Sequence, residues 1–155
     1  MFKHKWYVLI AGLKFKVPLW RLIIHDWSKF RYWTEWKPYR ELFYELATKE
    51  SREAFQMASM RHIKLNKHHW NYWVQVTAGI PKSLTANPES HRVRVHEMPE
   101  IYIREMVADW YGAGKAVRGT WSARDWYEDH KDSILLAPTT RAMVEQFLSI
   151  DFERV

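Results

Sequence analysis

The chain has 155 residues, enough for one domain with a core of its own. It has no cysteine, which excludes disulfides, thiolate zinc sites and a cysteine nucleophile, so any metal ligands must be His, Asp or Glu. With 24 Lys+Arg against 18 Asp+Glu, its formal charge of +6 favours anionic partners (nucleotides, phosphate esters, nucleic acid or a membrane surface) without choosing among them.

The pattern is helical almost throughout, and residues 3–15 are predicted as the first helix. The start, Met1-Phe2-Lys3-His4-Lys5 and then an apolar run to Leu13, superficially resembles a signal peptide. The run is short, however, and Lys14 and Lys16 follow with no small-residue cleavage site, so a core helix is expected. Pro18 opens a second helix carrying Leu19, Leu22, Ile23 and His25. Residues 32–47 place Trp36, Tyr39 and Phe43 at helical spacing. A long helix is expected from Ser51 to Val76, with Ser51 as its N-cap and Glu53 in its first turn.

Gly79, Pro81, Asn87, Pro88 and Pro99 punctuate a polar, basic stretch, predicted as a long loop over residues 79–98 that serves as a lid or binding loop. Val93-Arg94-Val95 alternates but is too short to predict a strand pair. A helix starts at Pro99 and carries Ile103, Met106, Val107 and Trp110, with glycines 112, 114 and 119 weakening its end. Two further helices are expected over 123–133 and 139–149. The fold class is therefore all-α, a single-domain helical bundle over residues 1–155. Many of the ten tryptophans are expected in the core or lining a pocket, because that much indole in water invites aggregation. No apolar run reaches the length of a membrane span, so a cytoplasmic protein with no membrane partner is expected by default.

The doublet His25-Asp26, delivered by the apolar run Leu22-Ile23-Ile24, offers one nitrogen and one oxygen ligand to a divalent metal. Further candidate ligands are His4, His62, His68, His69 and Asp109. On one continuous helix His62, Asn66, His69 and Trp73 share a face, and His68 points elsewhere. Two turns then separate His62 from His69, a spacing that suits two adjacent ions, or an ion and a phosphate, better than a single ion. Glu105 and Asp109 lie one turn apart among Met106, Val107, Ala108 and Trp110. A carboxylate there is costly to bury unless it binds metal or pairs, with Arg104 or Lys115 as the alternative partner of Asp109. Gly112-Ala113-Gly114-Lys115 lacks the full phosphate-loop motif and follows a helix, which leaves Lys115 and Arg118 as simple anion binders. Each histidine alone is more often structural than a ligand; the constellation carries the metal reading.

The order His4, His25-Asp26, Asp109 resembles the HD-domain superfamily of metal-dependent phosphohydrolases, whose pattern is H…HD…D on an all-helical scaffold. The runs His25-Asp26-Trp27-Ser28-Lys29-Phe30, His62 to Trp70 (H-x-x-x-N-x-H-H-W) and Glu105 to Trp110 (EMVADW) look like a small phage and bacterial HD-like family of unassigned function. The tail Trp126-Tyr127 and Pro138-Thr139-Thr140-Arg141 is similar too. The resemblance implies His4, His25, Asp26 and Asp109 as the primary metal ligands. It implies Lys29 as a phosphate contact, His62, His68 and His69 as ligands of a second ion, and Asp26 as the bridge between the two.

The implied cofactor is one or two divalent ions (Zn, Mn, Co, Mg or Fe), and the implied substrate is a phosphate ester, a nucleotide above all. Glu105 or His69 is expected to relay a proton, and Trp27, Trp33, Trp70 or Trp73 to stack on a base. Two alternatives stay open. One is an HD-type di-iron oxygenase, which His62 and His69 permit. The other is a non-catalytic basic protein binding nucleic acid or a protein partner. Exposed tryptophan surface would suit a homodimer.

Overall fold

The computed structural model describes residues 2–31, 48–78, 91–150 and 152. The helix expected over 32–47, with Trp33, and residues 79–90 of the expected loop lie outside them. The fold is all-α. Helix α1 (Phe2–Lys14) is followed by the short α2 (Leu19–Ile24) and α3 (Ser28–Arg31). Next come α4 (Lys49–Leu65), a 3-10 turn (Trp70–Trp73) and the strand β1 (Val74–Ala78). Strand β2 (His91–Val95) leads to α5 (Glu100–Arg118), α6 (Ala123–His130), a 3-10 turn (Lys131–Ser133) and α7 (Pro138–Leu148).

The core forms where α1 lies along α5. Val8, Ala11 and Phe15 meet Ile103, Val107 and Tyr111, and α6 and α7 close it with Tyr127 and Val144. Gly112 sits where α1 and α5 touch. A Cβ there would stand 2.7 Å from the backbone nitrogen of Val8 and 2.5 Å from its Cγ2. Backbone cannot rotate away as a side-chain tip can, so Gly112→Ala is expected to destabilise the protein by about 3 kcal/mol. A urea melt checks this: the midpoint falls while the slope stays constant.

Several sequence expectations need correction. The helix expected to Val76 stops at Leu65, where Asn66 takes an extended conformation and its side-chain amide donates to the His62 carbonyl (2.7 Å). Beyond it, Val74, Val76 and Thr77 favour a strand, and β1 pairs antiparallel with β2 in the register Val74↔Val95 to Ala78↔His91. The 79–98 stretch is therefore not a loop throughout: two segments too short to stand alone supply each other's hydrogen bonds. The N-cap of α4 is Thr48, not Ser51; the Thr48 hydroxyl accepts from the Ser51 N–H (3.2 Å). Gly112 and Gly114 do not weaken α5, which continues to Arg118 and ends on Gly119 in the left-handed region (φ 79°). The 123–133 helix ends at His130 and gives way to the 3-10 turn.

Of the tryptophans among the described residues, five pack against the core as expected and three do not. Trp6, Trp20 and Trp27 are more than half exposed, and Trp70, Trp73, Trp110, Trp121 and Trp126 are only partly buried.

Candidate metal centre

Five parts of the chain bring their chemistry to one place. α1 supplies His4. The turn after α2 supplies His25 and Asp26, and α3 supplies Lys29. α4 and the turn after it supply His62, His68 and His69, and α5 supplies Glu105 and Asp109. The doublet works because the backbone turns sharply there. α2 ends at Ile24, His25 is extended, and Asp26 takes the left-handed conformation (φ 58°) that Asp tolerates better than most residues. His25 and Asp26 are both buried.

Two ligand atoms about 2.1 Å from one ion, at octahedral to tetrahedral angles, lie about 3.0–3.4 Å apart. The side chains here reproduce that spacing twice. In one group, His4 Nε2 is 3.0 Å and His25 Nε2 3.5 Å from Asp109 Oδ1. In the other, His62 Nε2 is 3.1 Å and His68 Nε2 3.5 Å from Asp26 Oδ1, and His69 Nε2 is 2.7 Å from His62 Nε2. Within each group the ligand atoms all lie within 4.8 Å of one another. Asp26 joins the two, because its Oδ2 lies 3.6 Å from His4 Nε2 and its Oδ1 3.7 Å from His25 Nε2.

The convergence of His62, His68 and His69 corrects the single-face reading. Because α4 stops at Asn66, the chain doubles back, bringing His69 onto His62 and turning the buried His68 inward to Asp26.

Among the described residues, three buried side-chain atoms make no hydrogen bond: His25 Nε2, Asp26 Oδ1 and His68 Nε2. Unmet buried polar atoms cost about 1–3 kcal/mol each, and these three face one another. The opposite nitrogens are satisfied. Glu105 Oε1 accepts from His25 Nδ1 (3.2 Å) and lies 3.4 Å from His68 Nδ1. Ser28 Oγ lies 2.7 Å from His62 Nδ1 and accepts from the Asn66 amide (2.7 Å). With protons held on Nδ1 of His25 and His68 by Glu105, their Nε2 lone pairs point at the centre, as those of ligating imidazoles do. The residues therefore fit one or two divalent ions, and all the unmet atoms are nitrogen or oxygen.

Electrostatics agree. Burial pulls His25 down, yet the Asp26 charge, the neighbouring Asp109 carboxylate and the hydrogen bond to Glu105 outweigh it and hold its pKa at about 10. His4 and His68 are raised against the same burial, by Asp109 and Asp26 for His4 and by Asp26 and Glu105 for His68. Burial wins at His62, which is lowered, and at His69, which burial and the charge of His68 push down to about 3. Asp26 and Asp109 stay well below the carboxylate range despite burial, because His25 and its neighbours favour the charged form. Without a metal, the cluster draws protons onto His4, His25 and His68 to balance its carboxylates.

Glu105, expected as a proton relay, lies among Arg21, His25 and His68. Both its oxygens are engaged: Arg21 donates to Oε2 from Nε (2.9 Å) and Nη2 (2.6 Å), and Oε1 faces the two Nδ1 atoms. Its pKa is lowered because the bonds from His25, His68 and Arg21 outweigh burial. It positions one histidine from each ligand group. Glu105→Gln is expected to weaken metal binding 10- to 100-fold, roughly the cost of losing such an acceptor, in a competition titration against a chelator.

Of the other expected residues, Lys29 pairs its ammonium with Asp26 Oδ2. Asp109 pairs with histidines, whereas Arg104 turns to Glu100 and to the Phe15 carbonyl. Lys115 and Arg118 are carried away from the centre by the unbroken α5. Lys115 lies six residues past Asp109, about 9 Å along the axis, and donates to the Gly119 carbonyl (2.8 Å). Trp70 and Trp73 are partly buried against the core, and the Trp73 indole donates to the Lys67 carbonyl (2.8 Å). The role of Arg21 escaped the sequence reading; a cation inside an apolar run, one turn before His25, is the signal for it.

A family model described as "Family of unknown function (DUF5662)" matches residues 1–150, and the chain belongs to that family. No curated protein and no solved structure matches it.

Proposed function

We propose that this protein is an HD-type metal-dependent phosphohydrolase with a two-ion centre, acting on a phosphate ester, most naturally that of a nucleotide. The observation that carries the reading is Asp26, buried between two His/Asp groups, each with ligand-atom spacing suited to an ion. Divalent ions in such a pair of sites supply an acidified water and a clamp for the charge of the transferring phosphoryl group.

The chain's own residues do the rest. Asp109, His4 and His25 would hold one ion and His62, His68 and His69 a second, with Asp26 within reach of both. Glu105 and Arg21 fix the rings from behind. Lys29, beside Asp26 and partly exposed, neutralises a phosphate oxygen at the mouth of the site. The excess of Lys and Arg over the whole chain favours an anionic substrate.

The test is phosphate release from a panel of nucleoside mono-, di- and triphosphates and simple phosphate esters, with Mn, Co, Zn or Mg added in turn. Metal-dependent release that a chelator stops is expected. Iron content with oxygen uptake and no phosphate release would replace this reading with the di-iron oxygenase. Salt-sensitive oligonucleotide binding by a metal-free protein would replace it with a binding role.

A further inference from the structure

The first two helices present an apolar surface that the described fold does not bury. On α1, Trp6, Ile10 and Leu13 recur at helical spacing on the face opposite Val8 and Ala11; Trp6 and Leu13 are more than half exposed. On α2, Leu19, Trp20, Ile23 and Ile24 are each more than half exposed, and Leu22 alone is buried. The helices lie side by side, with Leu22 seated on Gly12 and the Lys5 ammonium donating to the Ile23 carbonyl (3.0 Å). Single exposed apolar residues are ordinary; seven on two adjoining helices mark an interaction surface.

Charge on this part of the chain has one sign. Residues 1–25 contain Lys3, Lys5, Lys14 and Lys16, with Arg21 turned to Glu105, and no Asp or Glu. The first carboxylate in the sequence, Asp26, is buried in the metal centre.

We propose that the α1–α2 face docks on an anionic lipid bilayer, with its apolar side chains in the boundary between headgroups and acyl chains and its lysines among the lipid phosphates. Charge decides between occupants. A second copy docking through the same face about a twofold axis would set these cations against themselves. An anionic bilayer satisfies both halves of the surface: it takes up Trp, Leu and Ile at the boundary and pairs Lys with phosphate. Trp6 and Trp20 are of the residue type that this boundary favours. Among the described residues no helix is long and apolar enough to cross a membrane, so the attachment is to one surface. The absence of a spanning run, which led to the expectation of no membrane partner, does not bear on attachment of this kind.

The test is co-sedimentation of the full chain with vesicles of mixed phosphatidylglycerol and phosphatidylcholine, against vesicles of phosphatidylcholine alone. Binding to the anionic vesicles that salt weakens is expected. Lys3→Glu with Lys16→Glu should lower partitioning at least about tenfold, from roughly fivefold per lysine lost. Trp20→Ser with Ile23→Ser should lower it by a similar factor, with far-UV circular dichroism unchanged in both variants. No sedimentation with anionic vesicles, or full binding by both double variants, overturns the proposal. So does a concentration-dependent dimer abolished by Trp20→Ser with Ile23→Ser, which would assign the face to a second copy. Asp26→Asn should bind vesicles as the native chain does, so failure here is separate from failure of the metal-centre reading.

Discussion

Asp26→Ala is expected to lower phosphate-ester hydrolysis by at least about 10³-fold and to reduce bound metal from two ions to at most one. Asp26 Oδ1 faces His62 and His68 of one group and His25 of the other, and its Oδ2 faces His4. The substitution also leaves His25, His62 and His68 without the carboxylate they face, which costs the metal-free protein about 3 kcal/mol, as breaking a buried charge pair does. Asp26→Asn separates charge from shape. Asn accepts the left-handed backbone at this position and keeps the side-chain volume, so the fold should persist while metal and activity are lost. His69→Ala makes the contrast: one half-buried ligand leaves the second group alone, and the first ion should remain. Metal analysis of the purified variants, paired with phosphate release, reads all three. Native metal content in Asp26→Asn would contradict the bridging role.

Adding metal is expected to raise the melting temperature far more at pH 8.5 than at pH 6.5. In the metal-free protein His25 keeps its proton to about pH 10, against an ordinary value of 6.5. Its folded-state pKa is raised, so the stability it contributes is fully present below about pH 6.5 and is lost as pH rises through about 10. His4 and His68 are raised too and act in the same direction. The carboxylates run the other way. Asp26, Glu105 and Asp109 lie below their ordinary values, so their contribution is present above about pH 4 and is lost in acid. His69, pushed down to about 3, adds a cost as the pH falls below 6.5.

Metal ligation requires neutral imidazoles, so binding expels the protons on His4, His25 and His68. One expelled proton gives tenfold in apparent affinity per pH unit. Two units therefore give about 100-fold, or about 2.7 kcal/mol, which moves the midpoint of a chain this size by about 5–10 °C. Scanning calorimetry with and without metal across this range checks the sign. A gain that stays flat with pH would show that the histidines are not the ligands.

Much of this was legible in the sequence because it depends on local order. The doublet His25-Asp26, the one-turn spacing of Glu105 and Asp109 and the apolar faces of α1 and α5 are all short-range patterns. The errors came where a long-range contact decided the outcome. His62 to Trp73 reads as a continuous helix by spacing, yet Asn66 ends it through bonds to the His62 carbonyl and to Ser28, 38 residues earlier. The Val93–Val95 alternation carries little signal until Val74 and Val76 stand beside it. Gly112 reads as weakening the helix end because nothing local reveals that the backbone of Val8 presses on it. Arg21 has no local signal beyond its place in an apolar run, because its partner Glu105 lies 84 residues away.

Anomalous diffraction from crystals grown with manganese, at energies either side of the metal edge, tests the central claim most directly. Two peaks flanking Asp26 are expected, one among His4, His25 and Asp109 and the other among His62, His68 and His69. No peak at the cluster, or a single ion bound without Asp26, would contradict the two-ion centre.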